Sequence, residues 1–302
     1  MEKKISTTTG RLQRKYGDLG AIEIAAEAGY DGIDFNVEHY AFLKDEANKL
    51  DLPEKQFEDY FTAVRKKAEE CGIKIVQTHN LCGKLYNGDD AHDEQVLHWA
   101  ERGLKANEIM GCEYTVIHPI SVMDWGQDAS YEVMHEYNQK MFSDIIPYAE
   151  KYGIIIAPES FGVGSHKKGQ HFPDMFADPE KMRREYDCMN TKNKAFCLDT
   201  GHTHCGTQFG YMSVPEFIRY FGDRIKLLHI HDNDGIYDMH LIPRKGGGDR
   251  IKWPEVFDAL DEIGYDGYYN FEVSVCFGDL MAEGHKFLAK YYREFINKRG
   301  NI

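Results

Sequence analysis

Short runs of apolar and β-branched residues alternate with longer amphipathic segments along the chain. The apolar runs predict eight strands, at residues 3–8, 32–37, 74–79, 114–119, 153–159, 195–200, 225–231 and 267–273. The amphipathic segments predict eight helices, at residues 18–29, 56–71, 92–110, 129–152, 178–188, 214–222, 254–263 and 279–298. Strict alternation of strands and helices is typical of parallel βα units.

The segment 56–71 illustrates how the helices are predicted. Its apolar side chains recur at three- and four-residue steps, namely at Phe57, Tyr60, Phe61, Val64 and Ala68. Gly72 and Gly153 directly follow two of the predicted helices, and glycine commonly ends a helix because it adopts a left-handed conformation without strain. The pattern therefore predicts helices that end just before a strand begins.

Eight strand–helix pairs in alternation favour a closed barrel. We expect an α/β fold in which residues 1–302 form a single (β/α)8 TIM-barrel domain. A doubly wound open sheet is the competing layout, but no G-x-G-x-x-G motif follows an early strand to support a nucleotide-binding version of it. The longest irregular stretches, 161–177 and 232–252, follow strands directly, where the loops of a barrel surround its active site.

The composition of the chain limits the kinds of molecule that it is expected to bind. The chain has 36 basic and 50 acidic residues, and its net charge of −14 disfavours non-specific binding to nucleic acid or membranes. No apolar run approaches the roughly 18 residues of a membrane helix, and no signal peptide is visible. We therefore expect a cytoplasmic protein without a nucleic-acid or membrane partner, with a homo-oligomer left open. The seven cysteines lack C-x2-C spacing and are expected to be reduced thiols.

Charged and imidazole side chains stand at the ends of the predicted strands. Those on the fifth to eighth strands are Glu159, Asp199, His229 and Glu272. A carboxylate within a buried parallel strand costs several kcal/mol unless it is paired or binds a metal. Because four such residues share one end of consecutive strands, the sequence predicts one divalent-metal site. Three carboxylates and one imidazole favour Mn²⁺, Co²⁺ or Mg²⁺, and Zn²⁺ stays open.

Further polar residues occupy similar places. His79 and His118 end the third and fourth strands, and Asp34 ends the second, where a substrate contact and a strand-end cap are both open interpretations. A basic cluster in the loop after Glu159 is either an anion site or a solvated loop face, and it consists of His166, Lys167, Lys168 and His171. Histidines on predicted helices or early loops are expected at the surface, namely His39, His92, His98, His135 and His285.

Several local motifs together resemble one family. They are Asp199-Thr200-Gly201-His202, Leu228-His229-Ile230-His231-Asp232-Asn233, the turn Gly264-Tyr265-Asp266-Gly267 and the strand ending in Glu272. In this order they resemble the xylose-isomerase-like TIM-barrel family. That family contains sugar and sugar-phosphate isomerases and epimerases, inosose dehydratases and endonuclease IV. The resemblance covers nearly the whole chain and specifies the superfamily more strongly than the substrate.

The ketose 3-epimerase branch of this family implies roles for individual residues. The resemblance makes Glu159, Asp199, His229 and Glu272 the ligands of one metal ion. It also makes Glu159 and Glu272 the acid/base pair that exchanges protons through an enediolate. The side chains expected to contact a small carbohydrate substrate are His79, His118, His202, His231, His240 and Asp34. That branch has an arginine six residues after the metal histidine, where this chain has Gly235, so the resemblance supports enolisation more than ketose 3-epimerisation.

Three alternatives stay open at this stage. A dehydratase or lyase of the inosose dehydratase type would use the same enolate chemistry, and a non-catalytic sugar-binding protein would keep the fold alone. Endonuclease IV, a zinc phosphodiesterase on DNA, has nine metal ligands whose types also occur here at His79, His118, Glu159, Asp199, His202, His229, Asp238, His240 and Glu272. Gly201 departs from the nuclease pattern, which has cysteine there. We therefore expect a metal-dependent isomerase or epimerase.

Overall fold

The computed structural model describes residues 3–42, 48–81, 88–120, 130–165, 171–246, 250–273 and 280–302. The strands are β1 (Ile5–Thr8), β2 (Gly32–Asn36), β3 (Lys74–His79), β4 (Tyr114–Ile117), β5 (Ile155–Pro158), β6 (Val163–Ser165), β7 (His171–Pro173), β8 (Phe196–Asp199), β9 (Ile225–His229) and β10 (Tyr269–Phe271). The helices are α1 (Gly10–Ala28), α2 (Glu54–Cys71), α3 (Asp90–Met110), α4 (Tyr131–Tyr152), α5 (Pro179–Cys188), α6 (Thr200–Gly206), α7 (Val214–Phe221), α8 (Trp253–Glu262) and α9 (Met281–Asn297). Short 3-10 helices lie at Glu38–Phe42, Lys49–Asp51, Met175–Ala177, Thr207–Phe209 and Gly222–Arg224.

The parallel strands close into a ring. Six of them pair in the order β10-β1-β2-β3-β4-β5, and β8 pairs with β9. Isolated parallel bridges complete the circle, since Glu159 pairs with Cys197 between β5 and β8, and Ile230 pairs with Phe271 between β9 and β10. The amide of Ile230 donates to the carbonyl of Asn270 at 2.8 Å. The predicted (β/α)8 barrel is confirmed, and the open-sheet alternative is wrong. That residues 1–302 form one domain stays a prediction.

Helix ends and helix faces follow the sequence pattern. Gly72 and Gly153 cap α2 and α4 in the left-handed conformation, with φ of 66° and 68°. The inner face of α2 buries the predicted apolar side chains Phe57, Phe61, Val64 and Ala68. Each large apolar side chain buried in this way contributes roughly 1.5–3 kcal/mol to folding. None of the described helices is long and apolar enough to cross a membrane.

The structure differs from the predicted elements in three places. Helix α1 begins at Gly10 and not at residue 18, with a break at Gly17, where φ is 71° and ψ is 171°. The irregular stretch 161–177 contains the antiparallel hairpin of β6 and β7. Helix α6 follows β8 without a loop. The expectation that His39 is a surface residue is wrong, because its side chain is buried and its ring Nδ1 lies 2.7 Å from the carbonyl of Asn36. Of the other four histidines expected at the surface, His98 is exposed, whereas His92, His135 and His285 are half-buried.

The barrel interior is unusually polar near its C-terminal end. Buried side chains there include Ser6, Asp34, Gln77 and Asn270. The register between β2 and β3 shifts between Ile33 and Asp34, so that Asp34 lies opposite Gln77. A bulge of this kind re-aims side chains, and here the two residues hydrogen-bond across the strands at 3.2 Å. This polar layer lies directly beneath the predicted metal site.

Candidate metal centre

Four predicted ligands converge at the C-terminal ends of the strands. Asp199 and His229 are the last residues of β8 and β9, and Glu159 and Glu272 follow β5 and β10 directly. One ligand atom from each of these four residues lies within 4.8 Å of the others. The parallel topology brings these side chains together, because all strands of the barrel end at the same rim. We call this group the four-ligand centre.

His229 lies in the middle of the centre. Its Nδ1 atom is 3.0 Å from Oε1 of Glu159 and 3.0 Å from Oε2 of Glu272. Its Nε2 atom faces the opposite way and lies 3.0 Å from Oδ2 of Asp34. The side chains of His229, Glu159 and Asp199 are buried, whereas that of Glu272 is 25% exposed. Among the four side chains of the centre, solvent therefore reaches only that of Glu272.

In the four-ligand centre, the pKa values of the two glutamates are lowered and the pKa of His229 is raised. Burial alone would raise the pKa of Glu159, but His229 and His118 hold it well below its usual value. The pKa of Glu272 is also lowered, against the effect of burial, by His229 and His240. Burial would lower the pKa of His229, but the surrounding acidic groups, Glu159 and Glu272 among them, raise it well above its usual value. A divalent cation would supply the same positive charge in place of these protons, so the donor set fits a metal ion.

Asp34 lies behind His229, which differs from its predicted role as a substrate contact. Its side chain is fully buried. Besides the contact with His229, its Oδ2 accepts hydrogen bonds from Gln77 and Asn270 at 3.2 and 3.3 Å. A carboxylate that holds the second nitrogen of a ligand histidine fixes the ring orientation and raises its basicity. Gln77 and Asn270 were not predicted as site residues, because an amide in a strand gives no specific signal.

His79 and His118 contact Glu159. The Nε2 atom of His118 lies 2.7 Å from Oε2 of Glu159, and Nε2 of His79 lies 3.5 Å from the same oxygen. The two histidine nitrogens are 3.1 Å apart. His79, Glu159 and His229 form a second group with ligand atoms within 4.8 Å of one another. The structure thus brings both predicted histidines to the rim of the four-ligand centre.

A further group of potential ligands, which we call the outer cluster, comprises His202, His231, Asp238 and His240. Oδ2 of Asp238 lies 3.2 Å from Nε2 of His202 and 3.2 Å from Nε2 of His240. Asp238 was not among the predicted site residues of the isomerase reading. It was named only in the nuclease alternative, through its resemblance to a zinc ligand of endonuclease IV.

His231 connects the two groups. Its side chain is fully buried, and its Nε2 atom lies 2.9 Å from Oδ1 and 3.0 Å from Oδ2 of Asp199. Gly201 is required beside it, because a Cβ atom at this position would lie 1.9 Å from Cε1 of His231. The glycine of the Asp-Thr-Gly-His motif therefore makes room for the histidine that contacts Asp199. The predicted substrate contact of His231 stays a prediction.

In the outer cluster, the pKa of the carboxylate is likewise lowered and that of His240 is raised. Burial would raise the pKa of Asp238, but His202 and His240 lower it strongly. Burial would lower the pKa of His240, yet the hydrogen bond to Asp238 and the charge of Glu272 raise it to about 9. The backbone of His240 has φ of 46°, which non-glycine residues rarely adopt. Its ring is held on both sides, by Asp238 and by the backbone carbonyl of Glu272 at 3.0 Å.

The predicted basic cluster in the loop after Glu159 lies largely outside the described residues, since 166–170 are not described. Within the described part of the chain, Cys71, Cys112, Cys188, Cys197 and Cys205 are free thiols. Burial raises the pKa of Cys197 to about 12, so this thiol stays protonated beside the centre. It therefore adds no charge to the donor set.

Comparisons with known proteins agree with this architecture. A family model described as xylose isomerase-like TIM barrel matches residues 22–291. A D-tagatose 3-epimerase-like protein of known structure is 22% identical, with a TM-score of 0.68 over 98% of each chain. The IolI protein, in a structure with a bound zinc atom, is 19% identical, with a TM-score of 0.70 over 99% of this chain and 100% of that chain.

One sequence relative extends the comparison. An uncharacterized protein of Methanocaldococcus jannaschii is 29% identical over 188 residues, which are 62% of this chain and 58% of that protein. The match therefore spans little more than half of the relative's length. The solved structures are 22% and 19% identical to this chain, and at such identities their similarity shows the fold alone.

Proposed function

The chain belongs to the xylose isomerase-like TIM-barrel family, and from this premise we propose that it is a metal-dependent isomerase or epimerase. Its substrate would be a sugar, a sugar phosphate or a related keto-polyol, converted through an enediolate intermediate. The observation that carries the proposal is the convergence of Glu159, Asp199, His229 and Glu272, with ligand atoms within 4.8 Å of one another. The D-tagatose 3-epimerase-like protein among the structural neighbours supports the same class of reaction.

We assign one divalent ion, Mn²⁺, Co²⁺, Mg²⁺ or Zn²⁺, to the four-ligand centre. When bound, such an ion acts as a Lewis acid that polarises a substrate carbonyl and its neighbouring hydroxyl. His229 would bind it through Nδ1, because Asp34 engages Nε2. The zinc atom named for the IolI structure supports a metal centre on this fold.

Proton transfer falls to the two glutamates of the centre. They follow β5 and β10, strands that β8 and β9 separate in the ring. Glu272 is partly exposed and meets a substrate that enters from the barrel mouth, whereas Glu159 is buried beneath it. One carboxylate would remove a proton from carbon. The other would return a proton to the opposite face for epimerisation, or to the adjacent carbon for isomerisation.

The remaining predicted residues divide into two roles. His202 and His240 are partly exposed, with side-chain exposures of 12% and 20%, and would orient the substrate. His79 and His118 hold Glu159 and can still contact a substrate from the rim. For the fully buried pair, Asp34 and His231, we replace the predicted substrate contact with orientation of His229 and Asp199.

Solvent exchange tests this proposal. The protein would be stripped with chelator, reloaded with each ion in turn and incubated with a panel of ketoses in D₂O. We expect deuterium at a carbon of the converted sugar, seen by NMR, only in metal-loaded protein. Full activity in metal-free protein would contradict the proposal. Metal-dependent conversion without deuterium would leave the centre intact and refute the two-carboxylate scheme in favour of a hydride shift.

The same proton abstraction serves a dehydratase of the inosose dehydratase type. In that reaction the enolate loses water, and the product is lighter than the substrate by one water molecule. Mass spectrometry of the products in the same incubations therefore separates a dehydratase from an isomerase, whose product keeps the mass of its substrate.

A second candidate function is a zinc phosphodiesterase on DNA. The observation that favours it is the presence of three adjacent groups of potential ligands, two of which share Glu159 and His229. If three zinc ions bind, Asp238→Asn and His118→Ala would each lower the zinc content and abolish incision of DNA at an abasic site. In an isomerase, the same changes would leave one bound ion and alter the kinetics with sugars.

A further inference from the structure

A cavity of about 220 Å³ opens beside the four-ligand centre. Its lining includes Glu272 and His240 on the side of the centre, and Arg11, Arg14, His285 and Leu288 on the side of α1 and α9. A cavity of this size has room for several water molecules. That is the scale of part of a small polyol. We call it the arginine cavity.

The two arginines of this cavity differ from most others in the chain. The arginines that donate to carboxylates or backbone carbonyls are Arg65, Arg102, Arg183, Arg184, Arg219, Arg224, Arg250, Arg293 and Arg299. Within the residues that the structure describes, Arg11, Arg14 and Arg244 have no hydrogen-bond or ion-pair partner. Acidic residues outnumber basic ones by 50 to 36, so an unpaired pair of arginines on one cavity wall is notable.

Their spacing places both guanidinium groups at one site. Arg11 and Arg14 are three residues apart in α1, and residues at this spacing share a helix face. Both line the arginine cavity, and both side chains are exposed to solvent. Beside them, α9 contributes Met281, His285 and Leu288, none of which is a carboxylate. Among the lining residues that the structure describes, Glu272 is the one carboxylate, and it lies on the side of the four-ligand centre.

We infer that Arg11 and Arg14 bind an anionic group of the substrate, a phosphate or a carboxylate, so that the substrate is an acidic or phosphorylated sugar. This inference rests on the proposed function and narrows its substrate class. Guanidinium groups bind phosphate and carboxylate oxygens through paired, charge-assisted hydrogen bonds. A neutral sugar carries no negative charge to pair with the two arginines.

The arrangement also fixes the direction in which a substrate binds. The carbonyl and adjacent hydroxyl belong at the four-ligand centre, where Glu272 reaches the cavity. The anionic end points away from the carboxylates, towards α1. A reversed substrate would bring its anion against Glu159, Asp199 and Glu272 and leave the arginines unpaired, so charge alone selects one orientation.

Three ketohexoses with one carbon skeleton test the inference: D-fructose, D-fructose 6-phosphate and D-fructuronate. Their affinity for metal-loaded protein would be measured by calorimetry, and their deuterium exchange by NMR. We expect at least one of the two anionic sugars to bind more tightly than D-fructose. The variants Arg11→Gln and Arg14→Gln should each weaken that binding by roughly tenfold to a hundredfold, the value of a hydrogen bond to a charged group. Affinity for D-fructose should change little.

Arg244→Gln is the matched control, because Arg244 is also exposed and unpaired among the described residues but lines a different groove with Phe287 and Tyr291. It should behave as the wild type. The phosphate and carboxylate arms distinguish the two anions. Equal affinity of all three sugars, or an anion preference that survives Arg11→Gln together with Arg14→Gln, would overturn the inference even if sugars exchange deuterium. Arginine-dependent anion binding without any exchange would instead overturn the proposed function and leave the inference standing.

Discussion

Buried and half-buried histidines occur in two neighbouring regions of the barrel mouth, and their pKa values are shifted in opposite directions. In the four-ligand centre and the outer cluster, burial disfavours the charged form, but the facing carboxylates raise the pKa of His202 and His229 well above its usual value and that of His240 to about 9. On the wall of the arginine cavity, burial acts alone and lowers the pKa of His285 to about 4.

This difference shows that the charged groups facing a histidine, and not burial alone, set the direction of its pKa shift in this protein. A carboxylate at about 3 Å outweighs the desolvation of the imidazolium. The carboxylates of the centre therefore favour positive charge on their neighbours, as in a cation site. The surroundings of His285 favour its neutral form. Three changes would break or sharpen this comparison, from the largest expected effect to the smallest.

The largest effect is expected at the glutamates of the centre. Glu159→Gln and Glu272→Gln should each lower deuterium exchange by roughly 10²- to 10⁴-fold, because each removes a positioned acid or base. Glu159 is buried and contacts both His118 and His229, so its change should also remove most of the bound metal. Glu272 is partly exposed, so its variant should retain more metal than activity. Metal content by mass spectrometry and exchange by NMR measure the two effects.

Glu185→Gln is the control for loss of a buried carboxylate. Glu185 is fully buried, but it hydrogen-bonds Tyr131 and His135 away from the centre. This variant should lose stability and keep its metal. Equal metal loss in all three variants would show that the centre has no special affinity for cations.

A smaller effect is expected one layer below. Asp34→Asn keeps the size of the side chain but removes the charge that faces Nε2 of His229. Metal affinity should fall by roughly 10- to 100-fold, the usual cost of losing a partner behind a metal ligand. Competition with a chelator measures it. The companion variant combines Asp34→Asn with Gln77→Glu. Because Nε2 of Gln77 lies 3.1 Å from the same nitrogen of His229, a glutamate there should restore part of the affinity. An unchanged affinity in Asp34→Asn would return Asp34 to the predicted role of a substrate contact.

The sequence was sufficient for the barrel and for the convergence of the four side chains of the proposed centre. Strand–helix alternation is a local pattern, and the barrel brings the C-terminal ends of consecutive strands together. Residues that end those strands, such as Asp199 and His229, therefore meet without any knowledge of loop paths. The same reasoning extends to His79 and His118, which end two strands of the same ring.

Positions that depend on a bulge or a loop were not predictable in this way. Whether Asp34 points to a substrate or to His229 depends on the register shift beside Ile33, which leaves no mark in the hydrophobic pattern. Asp238 reaches the outer cluster because the loop after β9 folds back through the antiparallel bridge between Asp232 and Leu241. The first part of α1, with Arg11 and Arg14, is too polar to be recognised as a helix by its apolar spacing.

The smallest effect concerns the neutral histidine of the cavity wall. His285 has a pKa of about 4 in the folded protein and about 6.5 in the unfolded chain. Between these values the unfolded state binds more protons, so the stability contribution of His285 is complete above pH 6.5 and is lost as the pH falls towards 4. The difference corresponds to at most about 3 kcal/mol, and partial exposure to solvent reduces it. Urea unfolding of wild type and His285→Gln should therefore converge in free energy as the pH falls from 6.5 to 4. His98→Gln, on the exposed face of α3, controls for the loss of a histidine. Parallel curves for wild type and His285→Gln would mean that burial does not lower the pKa of His285, which would contradict the contrast between the two regions.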